Sequence, residues 1–282
     1  MAVILAVTLV APMYAQEAPP SYGPEQLDNL VGRIALYPDP LLAQILTAST
    51  YSDQIPDAAQ WADEHHYLTG QDLANAIQQD QLSWDPSVQA LLPFPSVLDM
   101  MASDMAWTGE LGNAVLAQRD AVMDAVQRER HKAEQYGYLR TNGQVVVTNG
   151  PYITIMPVNP AFVVVPAYNP AVVFVAPRPG FFVGGAISFG FGVGIGAWFA
   201  PWGWGATRFA WNTHVIIVNN HPWGRTWANR AVYVHLYPGV HRYAATAHVE
   251  RHELVRRSAT ERNEAREGHA VHEEHGGHEH HR

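Results

Sequence analysis

Residues 180–205 read Gly-Phe-Phe-Val-Gly-Gly-Ala-Ile-Ser-Phe-Gly-Phe-Gly-Val-Gly-Ile-Gly-Ala-Trp-Phe-Ala-Pro-Trp-Gly-Trp-Gly, and no charged residue stands between Arg178 and Arg208. Nine of these 26 residues are glycine. A helix in water loses about 1 kcal/mol at each glycine relative to alanine, so the stretch is no ordinary soluble helix. Two architectures remain. Phe181 to Ala200 is twenty uncharged residues, about the length of a bilayer-crossing helix. On such a helix Gly184, Ser188, Gly192 and Gly196 form a small-residue stripe for close backbone packing. Trp198, Trp202, Trp204 and, further on, Trp211 would then be interface aromatics. Alternatively, Phe189 to Ala197 alternates large side chains with glycine, the period of a strand with one bare face. An open strand in lipid leaves backbone groups unpaired. On that ground a membrane-seated or self-associating helix is favoured, with the strand as the alternative.

The chain of 282 residues has no cysteine, which removes disulfides and thiolate metal sites. Met1 to Ala15 is almost wholly apolar and gives way to Gln-Glu-Ala-Pro-Pro. It reads as an export signal (1–15) removed after Ala15, although no basic residue precedes Arg33. The net charge of −9 conceals an asymmetry. Residues 1–135 carry 18 acidic and 5 basic side chains, residues 136–249 six arginines and no carboxylate, and residues 250–282 eight acidic and six basic. The middle segment therefore lacks carboxylate acids, bases and hard-metal ligands. Its arginines are too sparse for a nucleic-acid footprint.

Helix signals fill residues 24–137. Pro24 opens a helix facing Leu27, Leu30, Val31, Ile34 and Ala35 inward. Asp39-Pro40 reads as a cap and first turn for Leu41–Ala48, and Asp85-Pro86 for Ser87–Leu92. Asp57–His65 reads as a helix with Trp61 on its apolar side. Thr69 with Asp72 resembles a capping box for Leu73–Gln79. Ser96 and Asp99 open Val97–Trp107, and Glu110–Gln135 is a long helix stopped by Gly137. Glu64-His65-His66 reads as a solvated helix end rather than a metal site.

Past Arg140 the pattern changes. Val145–Val147, Ile153–Ile155, Phe162–Val165 and Val172–Val175 are short strand-like runs, with Asn149-Gly150 as a hairpin turn. The last three runs fall on a ten-residue period, with Asn-Pro-Ala at 159–161 and again at 169–171. The expectation is a small antiparallel meander over 140–177, in a chain of α+β class.

Leu36-Tyr-Pro-Asp-Pro-Leu-Leu-Ala-Gln-Ile-Leu46, Trp84-Asp-Pro-Ser-Val-Gln-Ala-Leu-Leu92 and Asp120-Ala-Val-Met-Asp-Ala-Val-Gln127 resemble segments of one uncharacterised bacterial family. So do Val164-Val-Pro-Ala-Tyr-Asn-Pro-Ala-Val-Val173 and the Gly/Trp-rich stretch. The family is catalogued as domain of unknown function thirty-three hundred, and its members are often labelled membrane proteins. The resemblance covers roughly residues 25–205 and implies a Gram-negative envelope protein. It supplies no reaction and no catalytic residues.

Trp211–Asn220 and Ala231–Tyr237 read as two further strands in an aromatic segment, 208–243. From Glu250 the chain is a charged, helical or disordered tail, 250–282. In it His269, His272, His275 and His278 recur every third residue, followed by His280 and His281. Such imidazoles bind Zn, Ni or Cu without a preformed site; the bland reading is a low-complexity polar tail. No His-Glu-x-x-His, nucleophile elbow, P-loop or dinucleotide fingerprint occurs, and nothing requires a cofactor. The expected function is a non-catalytic envelope protein that attaches to membrane or wall and self-assembles as a homo-oligomer. A metal-handling periplasmic protein is the alternative, and a glycan-acting enzyme the weakest reading.

Overall fold

The structure is a computed structural model that describes residues 18–178 and 184–234. The signal-like start, Gly180–Val183, the end of the second aromatic strand and the histidine tail lie outside the described residues. The described chain is α+β: a helical half followed by small antiparallel sheets.

Seven helices come first: α1 (Pro24–Val31), α2 (Asp39–Ser49), α3 (Ile55–Glu64), α4 (Gly70–Gln79), α5 (Pro86–Gln89), α6 (Pro95–Ser103) and α7 (Met105–Gln135). Five of them carry proline in the first turn, where its missing N–H costs nothing. Asp85 caps α5 by accepting from the Ser87 N–H at 2.9 Å. Thr69 is the N-cap of α4 but makes no side-chain capping bond. Asp39 lies inside α2, whose N-cap is Pro38, so it is no cap; its carboxylate is used elsewhere. The helix opened by Pro95 stops at Ser103, because Asp104 turns the chain and caps α7 through the Trp107 N–H.

Helix α7 is the spine. Gln118 breaks it with φ −141° and ψ 45°, and other segments bond at the break. The Gln118 side chain accepts from Tyr22 N and donates to Tyr22 O, while Leu116 O accepts from Trp227 N at 2.9 Å. The kink thus holds the first described segment and the last against one helix. Gly112 marks the crossing of α7 over the end of α2. A Cβ there would overlap the Ser49 carbonyl oxygen and lie 2.7 Å from its carbon.

Strands β1 (Val145–Thr148) and β2 (Thr154–Pro157) form a hairpin across the Asn149-Gly150 turn. The expected meander does not continue. Strand β3 (Phe162–Val163) pairs with β6 (Val193–Gly194), and β4 (Pro166–Tyr168) with β5 (Ile187–Phe189). The third repeat becomes a short helix, α8 (Pro170–Val173), because Asn169 caps it through the Ala171 N–H at 3.0 Å. The repeat runs therefore pair with the glycine-rich stretch instead of with one another. Between the two pairings, Val164 and Val165 lie opposite Gly190, Phe191 and Gly192, one residue more on the glycine side, a bulge.

The favoured helix over 181–200 is overturned for its described part: residues 187–194 hold two strands, and Ala197–Trp202 is a 3₁₀ turn. No helix among the described residues is long and apolar enough to cross a membrane. The alternation decided the outcome, and the repeat supplied the pairing partner that an isolated strand lacks.

Strands β7 (Arg208–Ala210), β8 (Val215–Val218) and β9 (His221–Pro222) close the structure as a small sheet. Residues 231–234, read as the start of a strand, are turn and irregular chain. Phe199, Trp202, Trp204, Trp211, Ile216 and Trp223 join the same hydrophobic cluster as the helical residues. The two halves share one core.

Candidate functional site

Polar side chains bolt the halves together, and this fixes which surfaces remain open. Arg130, fully buried on α7, donates to Ala35 O (2.8 Å), Tyr37 O (3.0 Å), Ile153 O (2.8 Å) and the Asp39 carboxylate (2.6 Å). The other Asp39 oxygen accepts from the Trp211 indole at 3.0 Å. The Trp202 indole donates to Gln89 and the Trp204 indole to Ala90 O, at 2.9 and 3.0 Å. Trp202, Trp204 and Trp211 are therefore buried, with satisfied N–H groups, and form no interface belt. Trp198, half-exposed, differs from them.

A second buried polar set holds the last described segment. Arg225 donates to Thr50 O at 2.6 Å, and its guanidinium lies 3.6 Å from the Tyr51 ring centroid. Burial pushes the Asp85 carboxyl pKa up, against hydrogen bonds from Ser87 and Tyr51 and the charge of Arg225. These groups are packed inside and open onto no described groove.

The open surface lies beside the ribbon of β3–β6. One groove, about 680 Å³, runs between the ribbon and the helical half. Its helical wall is the end of α3 with His65 and His66, the start of α4 with Gly70, and the Leu92–Pro95 turn. Its other wall carries Phe162, Phe191 and Trp198. A second hollow of about 670 Å³ lies on the far side of Phe191, lined by Tyr37, Met100, Tyr168 and Phe189. Phe191 and Val193 border both. Burial pushes the Tyr37 hydroxyl up to about 12, so it stays neutral, and Arg33 at the rim is paired with Asp104 at 2.8 Å. Both hollows are apolar with few polar groups, the usual composition of ligand sites.

The glycine stripe shapes this groove, though not as a helix face. A Cβ on Gly192 would come 3.2 Å from the Phe162 Cβ, and one on Gly196 would come 3.0 Å from the Trp198 indole nitrogen. A Cβ on Gly194 would come 3.5 Å from Phe162 Cε1. The bare strand face therefore lets aromatic rings lie against the backbone. Ser188 is exposed and donates to Ala167 O at 3.4 Å; Gly184 is exposed in a turn. Phe191 itself is fully exposed, and Phe162, Tyr67 and Trp198 are also exposed. Tyr67 stacks edgewise and in parallel with His66 and His65 at the groove wall, with centroids 6.1 and 6.4 Å apart.

Sequence reasoning singled out Trp198 and the glycines, but not Tyr67, Phe162 or Phe191. The phase of the alternation puts Phe191 opposite the glycines but does not separate it from Val193 and Ile195, which share that phase and are half-buried and buried. Among the described residues no cluster of three or more His, Asp or Glu is placed to hold a metal. The six tail histidines lie outside them.

No solved structure matches this chain. It is 33% identical over 207 residues to the uncharacterized protein YacH of Escherichia coli (strain K12), covering 60% of this chain and 33% of the relative. It thus spans about a third of that relative's length. A family model described as "Protein of unknown function (DUF3300)" matches residues 23–253. The chain belongs to this family, whose function is unknown.

Proposed function

We propose that the protein is a non-catalytic binding module of the Gram-negative cell envelope, attached to membrane or wall through the groove beside Phe191. One observation carries the reading: three exposed aromatic side chains, Phe162, Phe191 and Trp198, line a single apolar groove, and a fourth, Tyr67, packs on His65 and His66 of its wall. A soluble protein seldom leaves such a patch uncovered unless it binds something. The groove's lining is mostly apolar, with His65, His66 and Thr69 as its polar side chains, a composition suited to binding by contact and shape. The apolar start of the chain supports export. The test is fractionation of tagged full-length protein, followed by salt and carbonate washes. Wild type stays with the envelope, and Phe191→Ser with Trp198→Ala is released. Wild type in the cytosol, or equal retention of both proteins, removes the reading.

A second role rests on His269, His272, His275, His278, His280 and His281. Their density supports weak, multi-site binding of Zn or Ni by the tail, with affinity lost below a pH of roughly 6.5, where free imidazole protonates. Calorimetry on a peptide of residues 268–282 tests it, with the all-glutamine peptide as control. Equal heats from the two peptides remove it.

A further inference from the structure

The outer face of the β half continues the groove surface. Val146 and Met156 are cross-strand partners and both exposed. Val158, two residues past Met156, is exposed too, and its N–H bonds to Gln144 O at 2.9 Å. Gln144 in turn donates from Nε2 to Gly190 O at 2.9 Å, which ties this hairpin to the ribbon beside Phe191. Exposed apolar side chains thus occur on the hairpin (Val146, Met156, Val158) and on the ribbon bonded to it (Phe162, Phe191), with Trp198 at the groove.

Charge follows the same boundary. Between Arg140 and Arg208 the sequence has one charged residue, Arg178, and there is no carboxylate from residue 136 to 249. Arg140 and Arg178 are exposed, and Arg140 borders a small hollow with Gly184, Gly185 and Phe189 at the ribbon's edge. A surface whose own segment carries no carboxylate, with exposed aromatic side chains and Arg140 at the ribbon's edge, complements an acyl boundary beneath phosphate headgroups. The Glu134 carboxylate meets the hairpin at Asn149, in its turn. The paired parts of the ribbon, 162–163 with 193–194 and 166–168 with 187–189, bond to each other, and Gly190 O accepts from Gln144.

We propose that this face docks on the surface of a phospholipid bilayer, with Phe162, Phe191 and Trp198 entering the headgroup region and Arg140 and Arg178 meeting phosphates. The inference rests on the binding role proposed above and narrows its partner to lipid.

The test is flotation of the full-length protein with vesicles of phosphatidylethanolamine and phosphatidylglycerol, and with phosphatidylcholine alone. Binding to both is expected, stronger on the anionic vesicles, and largely kept at about 0.5 M salt, where exposed charges are screened. Phe191→Ser should weaken it by about tenfold to a hundredfold, the effect of losing one buried phenyl ring; because Phe191 is fully exposed, the variant keeps its fold. Brominated lipid should quench part of the tryptophan fluorescence, and Trp198→Phe should remove most of that quenching, since every other tryptophan is buried except Trp227, which is half-buried. Arg140→Gln with Arg178→Gln should remove the preference for anionic vesicles. Unchanged flotation of Phe191→Ser, or quenching undiminished in Trp198→Phe, overturns the proposal by putting lipid contact elsewhere, the apolar start included. Absent flotation with Phe191-dependent sedimentation on purified cell-wall sacculi overturns the lipid partner and keeps the binding role. Absence of both overturns both.

Discussion

Replacing Arg130 with methionine should cost about 3–5 kcal/mol, the usual penalty for stripping a buried ion pair of one partner. The structure explains why the high end applies. Four hydrogen bonds of 2.6–3.0 Å are lost together. Three backbone carbonyls and the Asp39 carboxylate then stay in the core, where the Trp211 indole (3.0 Å) and the Ile155 N–H (3.3 Å) are the donors left to that carboxylate. Against a total stability of about 5–15 kcal/mol for a natural domain, such a loss is a large fraction. Urea denaturation followed by tryptophan fluorescence and far-ultraviolet circular dichroism measures it. The double variant Arg130→Met with Asp39→Asn removes the stranded charge and should regain about 1–3 kcal/mol relative to the sum of the single losses. A loss below about 1 kcal/mol for Arg130→Met, or strictly additive variants, would refute the reasoning and show that water reaches the pair.

Gly112→Ala should destabilise by at least about 2 kcal/mol on the overpacking scale, although alanine favours helices. The added Cβ meets the rigid Ser49 carbonyl, and thermal melts will show the drop; an unchanged or raised melting temperature contradicts the close crossing. For Asp85, the raised native pKa means that the folded state holds the proton more tightly than the unfolded chain. Its contribution is present below the ordinary carboxyl value of 3.8 and is lost as pH rises through the native pKa. Asp85→Asn keeps a good N-cap and cannot lose that proton, so its stability relative to wild type should climb from acid toward neutral pH. A difference that is flat in pH rules the argument out.

Much of the helical half is written in local signals. Proline in first turns, Asp85 before Pro86, and Gly137 at φ +78° place ends that depend only on nearby residues. The glycine-rich stretch was ambiguous because helix and strand each suited its composition; what decided it was a pairing partner some thirty residues upstream. Asp39 shows the same limit. Asp-Pro before an apolar run reads as a cap, yet its partner Arg130 lies 91 residues away. The groove inherited this ambiguity, since Phe191 faces outward only once the strand phase and its pairing are known. The indoles of Trp202, Trp204 and Trp211 look alike in sequence to that of Trp198, and only distant acceptors tell them apart.

The shared core also sets when the protein can fold. Gln44 bonds Trp202 O 158 residues away, Asp39 bonds Trp211 at 172, and Thr50 bonds Arg225 at 175. Until about residue 225 has left the ribosome, the helical half lacks the aromatic plug that fills its middle and the guanidinium that ties its centre. Contacts this remote in sequence form slowly. The core of the helical half is therefore completed only once the aromatic segment has been made.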